Sequence, residues 1–189
     1  MYDLIDKNCK RCGLHTTRKC MVVGNGFLPC DILFIGEGPG RSEDIRGKPF
    51  CGESGRVLFH AFRIACSQTG CWPQWYITNT VLCHPCDYKG GPNRQPTEEE
   101  VWACRPHLEK ILLKAKPIRT VFLGKVAEKF MRAQVPDGIA MLHPSYVLRG
   151  GGIGSSRHRL LVRDLIELFK EVENVKRVHP QVGTKRRKV

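Results

Sequence analysis

Apolar positions along the chain follow two rhythms. Short, dense runs rich in β-forming residues occur at 31–36 (DILFIG), 75–79 (WYITN), 119–123 (RTVFL) and 139–142 (IAML), each bounded by turn residues. Between them, apolar residues recur three and four apart, which predicts helices over 54–66, 97–114 and 125–134, with a last helix over 156–172. Thr97 followed by Glu100 has the spacing of a capping box at the head of the second of these helices. Strands that alternate with helices of this length pair in parallel, because a parallel crossover needs the helix to carry the chain back. The predicted fold class is therefore α/β, a three-layer α/β/α sandwich with a short, mainly parallel four-stranded central sheet. Sites in such folds lie beyond the carboxyl ends of the strands, and the glycine run at 149–154 is read as a flexible loop near that rim. No internal repeat is present.

Composition narrows the picture. A chain of 189 residues, 41% hydrophobic, builds one core, so residues 1–174 are read as one domain and 175–189 as a basic, disordered tail. No stretch approaches 18 apolar residues and the opening MYDLIDKNCK lacks an apolar signal core, which predicts an intracellular, cytoplasmic protein with no membrane partner. Ten cysteines in a reducing compartment point to ligation, reactivity or plain burial rather than disulfides. The net charge of +13 predicts a polyanionic partner, with nucleic acid the commonest. The last fifteen residues supply +6 of it, an electrostatic arm whose KRRK is either a nuclear address or a solvated tail, and the body keeps +7.

Chemistry concentrates in a few stretches. Cys9 and Cys12 form a C-x-x-C pair ahead of any strand, a poor place for a thioredoxin-type redox pair and a better one for ligation. Cys83, Cys86 and Cys104 are the available partners, and four thiolates suit zinc or an iron–sulfur cluster equally by count. The turn at 36–40, GEGPG, follows a strand but lacks dinucleotide-binding spacing, carries Glu37, and loses an N–H donor at Pro39. Glu37, Glu43 and Asp44 instead suit a site that handles positive charge or a water, with Phe50 as a stacking face. Asn79 ends the second strand and His143 the fourth, so an amide that reads a base edge and an imidazole that donates to an oxyanion meet on one rim.

The motifs C-K-R-C-G-L (9–14), G-E-G-P-G-R-S-E-D (36–44), G-K-P-F-C-G-E-S-G (47–55), I-T-N-T-V-L-C (77–83), N-R-Q-P (93–96), A-C-R-P-H-L (103–108) and H-P-S-Y-V-L-R (143–149) run in the order of one family. Together they resemble the iron–sulfur, type 4 branch of the uracil-DNA glycosylase superfamily. The resemblance implies a hydrolase of N-glycosyl bonds in base excision repair, acting as a monomer on uracil-containing DNA, with a 4Fe-4S cluster on Cys9, Cys12, Cys83 and Cys104. The link HPCDYKGGP after Cys83 is longer than the family's short one, which leaves Cys86 as a competitor for the third ligand.

By the same resemblance the flipped base stacks on Phe50, Asn79 reads its polar edge, and Gly36, Gly38, Glu43 and Asn93 complete the substrate site. His143 donates to uracil's carbonyl oxygen, and Glu37 supports the sugar cation or a water. The position of Gly38 holds a water-activating aspartate in the better-known branch, so its absence implies a dissociative mechanism. Ser145, Tyr146, Val147, Leu148 and Arg149 form a DNA-binding loop, with Val147 or Leu148 as an apolar wedge and Arg149 on a phosphate. Relatives that become linked to DNA carry a histidine where this chain has Asn93, so turnover is expected. The rival readings are a catalytically inactive DNA-binding member of the superfamily and a zinc-binding interaction module.

Overall fold

The computed structural model describes residues 5–179. A helical turn, α1 (Leu14–Thr17), and a two-residue strand, β1 (Asn25–Gly26), precede β2 (Ile32–Gly36). Then α2 (Arg41–Arg46) and α3 (Glu53–Thr69) lead to β3 (Trp75–Asn79), α4 (Glu98–Ala115) to β4 (Arg119–Leu123), and α5 (Lys125–Met131) to β5 (Ile139–Met141). Two helices, α6 (Pro144–Arg149) and α7 (Ser156–Val178), follow.

The sheet has five strands in the order β1-β3-β2-β4-β5, not the expected four. The four anticipated strands pair in parallel, and β1 adds an antiparallel edge through Asn25 opposite Ile77 and Gly26 opposite Tyr76. A strand of Asn-Gly has no alternation to detect. It exists because glycine lets two backbones close up: a Cβ on Gly26 would stand 2.1 Å from the Trp75 carbonyl oxygen.

Every residue of β2 is buried, because both faces of the sheet are covered. Ile32 and Phe34 pack toward α3, α6 and α7 with Leu58, Phe62, Leu165 and Phe169, while Leu33 and Ile35 pack toward α4 and α5 with Leu108, Ile111 and Ala127. The chain leaves β2 toward β3 but leaves β4 toward β5, so the crevice at the carboxyl ends of these two adjacent strands is the topological switch point.

α7 is longer than expected. It is capped by Ser155, whose Oγ accepts from the His158 N–H, and it runs past the 174/175 boundary to Val178. Lys176, placed in the tail by sequence, instead pairs with the fully buried Asp31 carboxylate at 2.8 Å, tying the end of α7 to the start of β2. The rest of the expected tail, from residue 180, lies outside the described residues. Among the described residues no helix is long and apolar enough to cross a membrane.

Candidate active site

A cleft of about 370 Å³ opens at the switch point, within the range of small-molecule sites, about 300–1,000 Å³. Glu37, Gly38, Glu43, Phe50, Asn79, Asn93, His143, Ser145 and Arg149 all line it, so these expected site residues meet in one place. Pro85, Arg94 and Gln95, from the loop after β3, also form part of the wall.

The floor is built by close approach. A Cβ on Gly36 would stand 2.5 Å from Asn79 Oδ1 and 2.8 Å from Phe50 Cζ, so glycine there lets the amide and the ring meet over the end of β2. Phe50 has φ 51°, a left-handed conformation that costs a bulky residue energy, and this places its nearly buried ring at the cleft. The ring centroid lies 6.0 Å from that of His143. Asn79 is 2% exposed, and its Oδ1 is buried with no hydrogen-bond partner.

His143 is the N-cap of α6, with Pro144 at the first helical position. This short helix replaces the expected loop. The backbone N–H of Ser145 donates to His143 Nδ1 at 3.1 Å, and the Ser145 hydroxyl stands 2.7 Å away. An N–H donor at Nδ1 makes that nitrogen the acceptor, so the ring carries its proton on Nε2. Burial, aided by the Arg149 charge, pushes the imidazole down to about 4. At neutral pH the residue is therefore a neutral N–H donor. Gly124 makes room for it: a Cβ there would stand 2.8 Å from His143 Cβ.

Burial raises the Glu37 carboxyl above its ordinary range, with Arg149 acting against the rise. Glu43 accepts the Gly52 N–H through Oε1 at 3.0 Å. Asp44 departs from its expectation: it is buried away from the cleft and accepts the backbone N–H groups of Lys19 and Cys20. A Cβ on Gly38 would meet Pro85 at 3.0 Å and Val81 at 3.1 Å, so an acidic side chain has little room there.

The expected DNA-contacting segment divides. Val147 is fully buried in the core beside α3 and α7, which corrects its reading as a wedge, since α6 turns it inward. Tyr146, Leu148 and Arg149 face outward. Arg157 stacks on the Tyr146 ring at 3.8 Å and donates to its carbonyl oxygen, a brace that sequence spacing did not reveal.

Four thiols gather at another corner. Cys9, Cys12 and Cys83 all bear electrostatically on Cys104, as Cys9 and Cys12 do on Cys83, and burial pushes Cys104 up to about 12 and Cys83 to about 11. Arg18 donates to Cys83 Sγ at 3.2 Å and the Leu82 N–H to Cys104 Sγ at 3.3 Å. Cys86 turns instead to the His84 carbonyl oxygen at 3.6 Å. As the side chains stand, no three His, Cys, Asp or Glu among the described residues are grouped to hold a metal ion. The donor set still fits a thiophilic centre in kind: soft sulfur ligands from three chain segments that sense one another's charge.

An α/β sandwich with a base-sized cleft at its switch point, a buried amide, an aromatic face and a neutral imidazole donor defines a class, and comparison agrees: the chain belongs to the uracil DNA glycosylase superfamily, whose profile matches residues 24–165. Within it the chain is similar to type-4 uracil-DNA glycosylases. It is 39% identical to that of Pyrobaculum aerophilum over 129 residues, 68% of this chain and 61% of the relative. It is 36% identical to that of Archaeoglobus fulgidus over 124 residues, 66% of this chain and 58% of the relative. It is 35% identical to that of Thermotoga maritima over 182 residues, 87% of this chain and 88% of the relative. The chain thus spans about three fifths of the archaeal relatives and most of the bacterial one.

Proposed function

We propose that the protein is a uracil-DNA glycosylase: it draws uracil out of DNA into the cleft and hydrolyses its N-glycosidic bond. The observation that carries this reading is the buried, unpaired Oδ1 of Asn79, in the same cleft as the neutral His143 donor. An unpaired buried acceptor costs about 1–3 kcal/mol, a cost offset when a ligand supplies the missing donor. Uracil carries a ring N–H between two carbonyl oxygens, so it satisfies Asn79 and offers an acceptor to an imidazole. Phe50 supplies the apolar face against the ring.

When the glycosidic bond breaks, its electron pair leaves with uracil and the sugar becomes cationic. His143 Nε2–H stabilises the developing oxyanion, and one such donor is worth about 10²- to 10³-fold in rate. Glu37 supplies negative charge near the sugar, or orients water, when ionised. With no carboxylate at position 38, leaving-group stabilisation dominates and water adds late. Tyr146, Leu148 and Arg149 meet the DNA, with Leu148 as the wedge and Arg149 on a phosphate.

Cys9, Cys12, Cys83 and Cys104 would hold a 4Fe-4S cluster; its positive iron charge would compensate three buried thiolates and the half-buried one of Cys12, and it would tie the N-terminal segment to α4. The mutual influence of Cys83 with Cys9 and Cys12, set against the backbone contact of Cys86, supports Cys83 as the third ligand. Anaerobic assay of uracil release from uracil-bearing oligonucleotides, beside an iron count, tests the proposal. Release with about four irons per chain is expected; DNA binding without release, or stoichiometric zinc without iron, would overturn it.

A further inference from the structure

Asn93 is held at the mouth of the cleft by an imidazole that packing alone does not call for. His84 follows Cys83 in the loop after β3 and is fully buried. Its Nε2 lies 2.8 Å from Asn93 Oδ1, and the Arg41 N–H at the start of α2 approaches the same oxygen at 3.3 Å. Two donors take both lone pairs of that oxygen, so the amide presents only its amino group elsewhere. A Cβ on Gly40 would stand 3.2 Å from Asn93 Nδ2 and 2.8 Å from Glu43 Oε2, which places the amino group beside the turn at the cleft wall. Arg94 braces the loop through Glu100 at 2.7 Å and Asp87 at 2.8 Å, and its N–H donates to the Pro85 carbonyl oxygen.

The arrangement carries a cost. A ring that donates from Nε2 has Nδ1 as an acceptor, and His84 Nδ1 is buried with no partner. An apolar side chain of similar size would remove that penalty. Retaining the histidine is understandable if its bond to Asn93 does something other than stabilise the fold.

Resting on the glycosylase reading, we infer that His84 is a positioning residue that makes Asn93 a donor-only contact for a phosphodiester oxygen beside the extruded nucleotide. Asn93 is exposed at the mouth, where the strand must pass once its base is inserted, whereas the deeper Asn79 faces the base. A donor-only amide has nothing to offer a base N–H, but suits an oxygen that carries negative charge.

The test uses the full chain, each variant checked for equal iron content. Affinity is measured for an oligonucleotide with one uncleavable 2′-fluoro-2′-deoxyuridine, with Tm alongside. His84→Leu is expected to keep or raise Tm while weakening binding about tenfold. His84→Gln, which restores an N–H donor, should recover most of the loss. The double variant His84→Leu/Asn93→Ala should bind no worse than Asn93→Ala alone. Neutral methylphosphonate linkages flanking the uracil should weaken wild-type binding by more than they weaken His84→Leu, which keeps only the Arg149 contact to lose. Unchanged affinity in His84→Leu, losses that multiply in the double variant, or loss in step with a fallen Tm would each overturn the inference. Uracil release by the wild type reads out the glycosylase proposal separately, since the comparison of affinities among the variants uses an oligonucleotide that is never cleaved.

Discussion

His143 faces the cleft as a neutral donor because a backbone N–H occupies one ring nitrogen and burial beside Arg149 disfavours the charge. The sign of the pH effect follows. The folded ring titrates near 4 and the unfolded one near its ordinary value of 6.5, so the unfolded chain binds the extra proton between them. This group's contribution to stability is present above 6.5 and is lost as pH falls toward 4. In kcat/KM, His143 should give no acid limb near 6.5, because the free enzyme's ring stays neutral there. A limb at 6.5 that disappears in His143→Gln would contradict this. Glu37, raised by burial, can contribute a limb of its own, and a Glu37→Gln profile separates the two. Phe50 carries two duties, stacking face and core side chain, so Phe50→Ala should lower Tm as well as uracil affinity, by about 3–5 kcal/mol in stability. Loss of affinity with Tm unchanged would show the ring to be outside the core.

Among the elements, α4 is the one whose start is best specified. Thr97 and Glu100 form both bonds of a capping box, and Glu100 also receives Arg94. Thr97→Ala should cost about 1 kcal/mol, read as a lower denaturation midpoint at unchanged m-value. A neutral outcome would show the cap to be redundant with the Arg94 ion pair. This cap, the four parallel strands, the three long helices α3, α4 and α7 and the start of the shorter α5 were legible because each is written in local periodicity or a fixed offset. The strand ends followed, and with them Asn79 and His143 at one rim. What stayed hidden depends on contacts distant in sequence. β1 is two residues paired across the sheet, and α6 is a turn nucleated by Pro144 on a histidine cap. Val147 reads as part of an exposed apolar loop until α6 turns it inward. Asp44 looks like an active-site acid, yet the backbone at 19 and 20 claims it. No spacing rule links His84 to Asn93, because the oxygen they share is fixed by α2 as well.

For the molecule as a whole, charge sets how the proposed enzyme would meet DNA. Residues 185–188, KRRK, add four positive charges beyond α7. Removing 180–189 should lower DNA affinity at low salt and reduce the salt slope by at most about 3 to 4, while leaving Tm unchanged. An unchanged slope would deny the segment a role in binding. Truncation at 175 is a different experiment, because it also removes Lys176 from buried Asp31 and should destabilise the fold. The sheet, the thiol corner and the cleft share β3 and the loop that follows it, so loss of the proposed cluster would disturb the wall formed by Pro85 and Asn93 before it disturbs Asn79. The most direct measurement is single-turnover release of uracil by wild type and His143→Ala at saturating enzyme, between pH 5 and 8. The account predicts a rate about 10²- to 10³-fold lower in the variant, with DNA affinity and Tm nearly unchanged. Release by His143→Ala at the wild-type rate would contradict it.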